Sequence, residues 1–233
     1  MRVPSWLLNL LHLAVIVAVP IFLVLTAVQL LLFPWFIRYE YIRPGFPPDR
    51  HVPAGGYPLE REERQALAER ALRSVVGPEG MRLLEEARFE GTGAPAFNAR
   101  EIRHMADVRR VIRWARVVYG MTLLILIGGT LALAFTPALQ HRAAQGLIAG
   151  AGLTLALLLT ILTLALVNFN LFFTAFHRLF FEGDTWLFRA DDTLIRLFPL
   201  PFWVDATFFI GGVTGLAALF VLLAAWRWRK RIP

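Results

Sequence analysis

The 233-residue chain has no cysteine, two serines (Ser5 and Ser74) and a single lysine, Lys230. The missing thiols exclude a cysteine nucleophile, a cysteine-ligated zinc site and an iron–sulfur cluster, and they remove any redox clue to the compartment. Two serines leave little room for a serine nucleophile. Charge is also scarce: 18% of residues are Asp, Glu, Lys or Arg, against about a quarter in soluble domains. The charges gather in blocks separated by long uncharged runs, which excludes a soluble enzyme, a disordered tail and a disulfide-stapled secreted module. No internal repeat or low-complexity segment interrupts this pattern.

What is present is apolar: 57% of residues are hydrophobic and the mean hydropathy is +0.57. A helix crossing the hydrocarbon core needs about 20 apolar residues, and four stretches satisfy that length. The first lies within 1–37 and is interrupted by Pro20; the others are 115–136, stopped by Pro137, 147–176 and 206–226. The first is too long for the apolar core of a signal peptide and no small-residue cleavage site precedes a polar stretch, so it reads as a retained anchor. Between the spans lie a large segment 38–114, a short loop 137–146, a second large loop 177–205 and a basic tail 227–233. Glycines and threonines recur in the last three spans, and small residues let membrane helices approach closely. The expected fold class is an all-α membrane protein: four transmembrane helices with a largely helical extracytoplasmic cap.

Basic residues on short flanks set the orientation. Arg2, Arg142 and the cluster Arg227, Arg229, Lys230 and Arg231 fall on one side of a four-span arrangement, which the positive-inside rule makes cytoplasmic. The loop 177–205 carries three arginines against five acids and belongs outside. The long first segment has fourteen arginines and twelve acids, and its length makes it neutral in this argument. The chain is therefore expected to be multi-pass, with both termini cytoplasmic. The same placement explains the net charge of +7. Juxtamembrane arginines meet anionic lipid, so membrane lipid is an expected partner and nucleic acid is not.

Within 38–114, a proline- and glycine-rich entry from Arg43 to Pro58 reads as irregular. A helix is expected over 58–76, with Leu67, Ala71, Leu72 and Val75 on one face and Gly77-Pro78 as its stop. A shorter helix is expected over 78–89. After the Gly91–Pro95 turn, Asn98 followed by Glu101 has the spacing of a capping box, and the helical pattern then runs unbroken into the second span.

Five histidines remain as candidates for chemistry. His12 and His141 fall at the cytoplasmic side and His51 in the irregular entry, where an interfacial or solvated imidazole is the ordinary explanation. His104 and His177 each fall outside, on expected helical extensions of the second and third spans. At 1.5 Å per helical residue they lie roughly 15 Å beyond the apolar runs, so the two imidazoles can meet at one height. Glu101 and Asp107 flank His104 at i−3 and i+3. Arg178 and Asp184 surround His177 among aromatics that include Trp186. A carboxylate beside an imidazole fixes its tautomer. A zinc site needs three or four ligands at fixed geometry; with no H-x-x-x-H or H-E-x-x-H pairing, no metal and no cofactor is expected.

At these residues the chain resembles a known family. The segment Asn98-Ala-Arg-Glu-Ile-Arg-His-Met-Ala-Asp-Val108, with Phe176-His-Arg-Leu-Phe-Phe-Glu-Gly-Asp-Thr-Trp-Leu-Phe188, is similar to the bacterial lipoprotein intramolecular transacylase (Lit) family. So is Asp192-Thr-Leu-Ile-Arg-Leu-Phe-Pro199 followed by Phe202-Trp-Val-Asp205. The segment from Arg43 to Pro95 matches only in general character. The resemblance implies an acyl transfer on the extracytoplasmic face of a bacterial plasma membrane, with a diacylglyceryl lipoprotein as substrate, in which the sn-2 acyl chain moves to the α-amino group of the N-terminal cysteine to leave a lyso-form. His104 and His177 would be the catalytic pair, one taking the proton of the attacking amine and the other serving the departing glyceryl oxygen or the oxyanion. Glu101, Asp107 or Asp184 would orient an imidazole, and Arg103 or Arg178 would contact the oxyanion, with Trp186 in support. Two other readings stand beside it. A non-enzymatic assembly or docking protein would use the charged cap and tolerate loss of both histidines, and a histidine-dependent membrane hydrolase would release free acid or peptide. A transporter is disfavoured, because the spans carry few ionisable residues, with His12 the one that lies inside an apolar run.

Overall fold

The computed structural model describes residues 4–53, 56 and 58–232. In chain order its α-helices are α1 Ser5–Leu31, α2 Pro34–Ile42, α3 Arg61–Val76, α4 Arg82–Glu85, α5 Ala99–Ala134, α6 Gln140–Val167, α7 Phe169–Phe180, α8 Thr193–Leu197 and α9 Leu200–Arg229. A 3₁₀ turn, Pro137–Leu139, precedes α6. Among the described residues there is no strand, only an isolated bridge between Arg88 and Pro95. Four helices are long and apolar enough to cross a membrane: α1, α5, α9, and α6 together with its 3₁₀ turn. The chain is an all-α, multi-pass membrane protein.

The residues divide into two compact units, one of 1–28, 115–167 and 208–233, the other of 29–114 and 168–207. The first is a helical bundle turned inside out by the standards of water. Leu124, Leu159, Leu216 and Phe220 are each more than 70% exposed, a surface that suits lipid and that a soluble domain avoids. The interior is built from small side chains. At Gly150 a Cβ would lie 2.7 Å from the Val19 side chain and 2.9 Å from the Ile16 carbonyl, and at Gly211 it would lie 2.9 Å from Leu162. These glycines allow α6 against α1 and α9 against α6. Ile16 is four residues before Pro20, whose ring removes the N–H that would bond the Ile16 carbonyl. Threonines within the helices return their hydroxyls to the i−4 carbonyl, as in Thr26 to Phe22 at 2.8 Å and Thr154 to Gly150 at 2.8 Å.

The second unit is held by ions and hydrogen bonds. Asp49 and Arg196 form an ion pair at 2.6 Å with both side chains at most 3% exposed. The Leu59 N–H also donates to Asp49 at 2.8 Å. Burial pushes the Asp49 carboxyl up, but Arg196 and the Leu59 N–H outweigh it and hold the group below the usual carboxylate range. Buried Arg64 donates to the Arg196 carbonyl at 2.5 and 3.1 Å and to the Pro47 carbonyl at 2.9 Å. Tyr41 donates to the Leu197 carbonyl at 2.8 Å. The entry segment, irregular as expected, is thus pinned by side chains that satisfy its backbone; Gly55 and Tyr57 lie outside the described residues, as does Arg2.

Several boundaries differ from the sequence expectation, each for a local reason. The first apolar run, expected within 1–37, ends at Leu31 because Pro34 forces Phe33 into extended backbone (φ −106°, ψ 151°) and opens α2. The third, expected over 147–176, begins at Gln140 and ends at Val167, where Asn168 turns extended and its side chain accepts the Leu171 N–H at 3.0 Å, capping a new helix. The helix expected over 58–76 begins at Arg61. The one expected over 78–89 shrinks to α4, since Gly80 takes a left-handed φ of +64° before it and backbone bonds Ala96 to Ala87 and Phe89 to Ala94 draw the end of the segment into a hairpin-like turn. The fourth apolar helix extends to Leu200 and Arg229 on either side of 206–226.

Candidate functional site

The site lies in the second unit, where the first turns of α5 face α7. The 36 residues of α5 reach about 54 Å, more than a span needs. Arg100, Glu101, Arg103, Asp107, Arg109, Arg110 and Arg113 place its first four turns outside the apolar stretch. Its start is a reciprocal capping box: the Asn98 side chain accepts the Glu101 N–H at 3.0 Å, and the Glu101 carboxylate accepts the Asn98 N–H at 2.8 Å. The second Glu101 oxygen accepts the Leu194 N–H at 2.7 Å. One turn on, His104 is buried.

Of the described residues of α7, His177 alone is buried. The other face shows Leu171, Phe176, Leu179 and Phe180. The two imidazoles lie 6.3 Å apart, centroid to centroid, and nearly parallel at 20°. Aromatic rings wall them in: Phe181 and Phe188 stand 5.0 and 5.2 Å from His104, and Phe173 and Trp186 stand 4.0 and 5.1 Å from His177.

The His177 Nδ1 is 2.8 Å from the Phe173 carbonyl. A carbonyl only accepts, so Nδ1 carries the proton and Nε2 of the neutral ring holds the free lone pair. The His104 Nδ1 is buried without a hydrogen-bond partner. Burial lowers the pKa of both rings. His104 falls to about 4, with the neighbouring His177 adding to the effect and the charge of Asp107 opposing it. His177 is lowered by burial against the opposing effect of its bond to Phe173. Both rings are therefore neutral at pH 7. Burial also raises the Glu101 carboxyl to about 7, against the two backbone N–H groups that it accepts.

The structure thus brings together His104, His177 and Trp186, and it sets the other sequence candidates apart. Glu101 serves backbone groups and not an imidazole. Asp107 pairs with Arg110 at 3.0 Å and reaches His104 only through its charge. Arg103, Arg178 and Asp184 are exposed and make no hydrogen bond to either ring. The group that orients His177 is the Phe173 carbonyl, an i−4 backbone acceptor with no side-chain signature. Phe181 and Phe188 wall His104, and no sequence spacing singles them out from the other aromatics near His177. His12 is half-buried beside Gly146 in the first unit, and His51 and His141 are exposed. Among the described residues no group of three or more His, Asp or Glu could hold a metal ion.

The model of the family described as lipoprotein intramolecular transacylase Lit matches residues 13–203. An uncharacterized protein of Aquifex aeolicus (strain VF5) is 34% identical over 187 residues, 80% of each chain. The solved structure of the membrane-integral lipoprotein intramolecular transacylase Lit from Bacillus cereus superposes with a TM-score of 0.68 over 98% of both chains, at 16% identity. A histidine-to-alanine variant of that protein superposes at 0.69 over 97% of this chain and 96% of the other, at 15% identity. At such identities the superpositions establish the fold.

Proposed function

Because the chain belongs to the lipoprotein intramolecular transacylase family, a family of acyltransferases, we propose that it moves the sn-2 acyl chain of a diacylglyceryl lipoprotein to the α-amino group of the same N-terminal cysteine. The observation that carries the residue assignment is the facing pair of neutral imidazoles, one of them with its tautomer set by a backbone carbonyl. The amine nitrogen attacks the sn-2 ester carbonyl carbon, a C–N bond forms, the ester C–O bond breaks, and one proton passes from nitrogen to the glyceryl oxygen. His177 takes the amine proton at Nε2, since its Nδ1–H is engaged by Phe173. His104, with its ring centroid 6.3 Å from that of His177, donates an N–H hydrogen bond to the oxyanion, and the His177 imidazolium hands its proton to the departing glyceryl oxygen, so that both rings end neutral. The nucleophile and the ester belong to one molecule, so no acyl-enzyme is needed and positioning supplies much of the acceleration. This fits a chain without cysteine and with its buried Ser74 bonded to the Ala71 carbonyl. The positive-inside rule, applied to Arg142 and the Arg227–Arg231 cluster, puts both termini in the cytoplasm and the histidine pair outside, where lipidated lipoproteins reside.

The test is the N-terminal structure of a lipoprotein, read by mass spectrometry, after expression in a bacterium that lacks other lipoprotein N-acyltransferases. N-acyl lyso-form is expected. A free-amine diacyl product with intact protein in the membrane would overturn the reading, and released fatty acid would favour a hydrolase. His177→Ala is expected to lower conversion by about 10²–10⁴-fold, the usual contribution of a positioned acid or base; full activity in that variant would remove His177 from the role.

A further inference from the structure

The segment 181–192 has no helix or strand and passes over the His104 imidazole. Phe181 and Phe188 pack against the ring, while His177 faces it from α7 and Asp107 acts on it electrostatically from its own helix. The end of the segment is fastened. The Asp192 side chain, 9% exposed, accepts three hydrogen bonds: from the Asn98 amide at 2.9 Å, from the Arg100 guanidinium at 3.0 Å and from the Arg189 N–H at 2.7 Å. Asn98 and Arg100 belong to the start of the helix that carries His104. The same Arg100 guanidinium lies over the Phe188 ring, 5.8 Å from its centroid. One arginine therefore grips both the end of the segment and the ring that covers the histidine. The next two residues extend the seam, with the Thr193 hydroxyl donating to the Ala96 carbonyl at 2.6 Å and the Leu194 N–H to Glu101 at 2.7 Å.

We propose that Asp192 is a positioning residue: through Arg100 and Asn98 it clasps the segment 181–192 onto α5, so that Phe181 and Phe188 cover His104 and exclude water from the imidazole pair. The consequence for rate rests on the transacylase reading; the cover itself does not. An activated ester carbonyl can be attacked by the amine, which conserves the acyl chain on the product, or by water, which releases it as free fatty acid. Keeping water out is what separates a transferase from a hydrolase at such a site. Asp192 thus acts on the outcome of the reaction without touching the reacting atoms.

The experiment uses diethyl pyrocarbonate on the purified full chain in detergent, with carbethoxylation of each histidine followed by peptide mass spectrometry. In the native protein His104 should label slowly beside the exposed His51 and His141. Asp192→Ala and Phe188→Ala should speed labelling of His104 about tenfold with His51 and His141 unchanged. Asp192→Asn, which keeps acceptors but loses the charge that Arg100 pairs with, should fall between. Asp191→Ala, whose carboxylate pairs with Arg189, should leave the native rate. In the lipoprotein assay, Asp192→Ala should divert a measurable share of product to free fatty acid, a partition that general destabilisation would not produce. A folded Asp192→Ala protein whose His104 labels at the native rate would overturn the clasp. If that variant does not fold, Arg100→Ala, at a half-exposed side chain, decides the same question. If the native protein converts no lipoprotein, the transacylase reading fails while the labelling still judges the clasp.

Discussion

In the unit of 1–28, 115–167 and 208–233, the hydroxyls of Thr26 and Thr154 are returned to the carbonyl one turn back, and glycine contacts such as Gly150 on Val19 and Ile16 set the helix spacing. In the unit of 29–114 and 168–207, polar groups are matched across long sequence separations: Asp49 with Arg196, Arg64 with the Arg196 carbonyl, Glu101 with Leu194, Asp192 with Asn98 and Arg100. The first solution is local and serves lipid surroundings, where an unsatisfied backbone or hydroxyl group has no water to turn to. The second is non-local, and it allows a proline-rich segment and a coil to be fixed in place. Only the second can hold two imidazoles from different helices at a set distance, so the contrast explains why the candidate chemistry lies there.

The sharpest way to break this comparison is to remove one partner of the buried ion pair. Asp49→Ala removes the carboxylate that Arg196 meets in this buried pair, a change that typically destabilises by about 3–5 kcal/mol. Hydrogen exchange in detergent should show faster exchange across 47–59 and 193–197, by about 10²–10³-fold, while amides of α6 stay protected. Equal loss of protection in both units would mean that the two do not hold independent interactions. The converse change belongs to the bundle. Gly150→Val places side-chain atoms where the Val19 side chain and the Ile16 carbonyl already stand, and overpacking of this kind costs about 1–3 kcal/mol. Exchange should rise in α1 and α6 and not in 193–197.

The sequence was readable to the extent that its causes are local. The four apolar runs, the Asn98-x-x-Glu101 cap and the stop at Gly77 depend on residues within a few positions of one another, and each is present in the structure. Asn168 also acts locally, as a cap, yet it sits inside an apolar run and was read through, which merged α7 with the helix before it. The histidine pair was visible as two isolated imidazoles at matching depth. Its setting was not. The partner of His177 is a main-chain carbonyl, which any residue supplies, and the Asp192 clasp joins positions 92 and 94 residues apart that no spacing rule connects. Charged residues near the histidines suggested orienting carboxylates, but Glu101 is engaged by backbone N–H groups and Asp184 is exposed. Proximity in sequence does not say which hydrogen bonds a carboxylate will make.

The smallest expected effect is the pH response of the covered histidines. An imidazole in water titrates near pH 6.5, and a general base of that kind loses activity tenfold per pH unit below it. His177 is shifted below that value by burial, so its lone pair remains available as the pH falls through 6.5. Of the groups that gain or lose a proton in the proposed reaction, the substrate amine, with a pKa of about 7.7–8.0, is then the one that titrates highest. Conversion of lipoprotein at limiting substrate should therefore rise with a slope of one in log rate against pH down to 6.5, and steepen only below it. A slope of two already setting in at 6.5 would show that His177 is solvated and that the aromatic surround does not dry it. Substituting Phe188 by alanine tests the same cause from the other side. Water admitted to His104 should bring its pKa up from about 4 toward 6.5, a change that NMR titration of the ring reads without any substrate. The folded-state value then no longer lies below the unfolded one, and the stability that the native protein loses as the pH falls from 6.5 to 4 is retained in the variant.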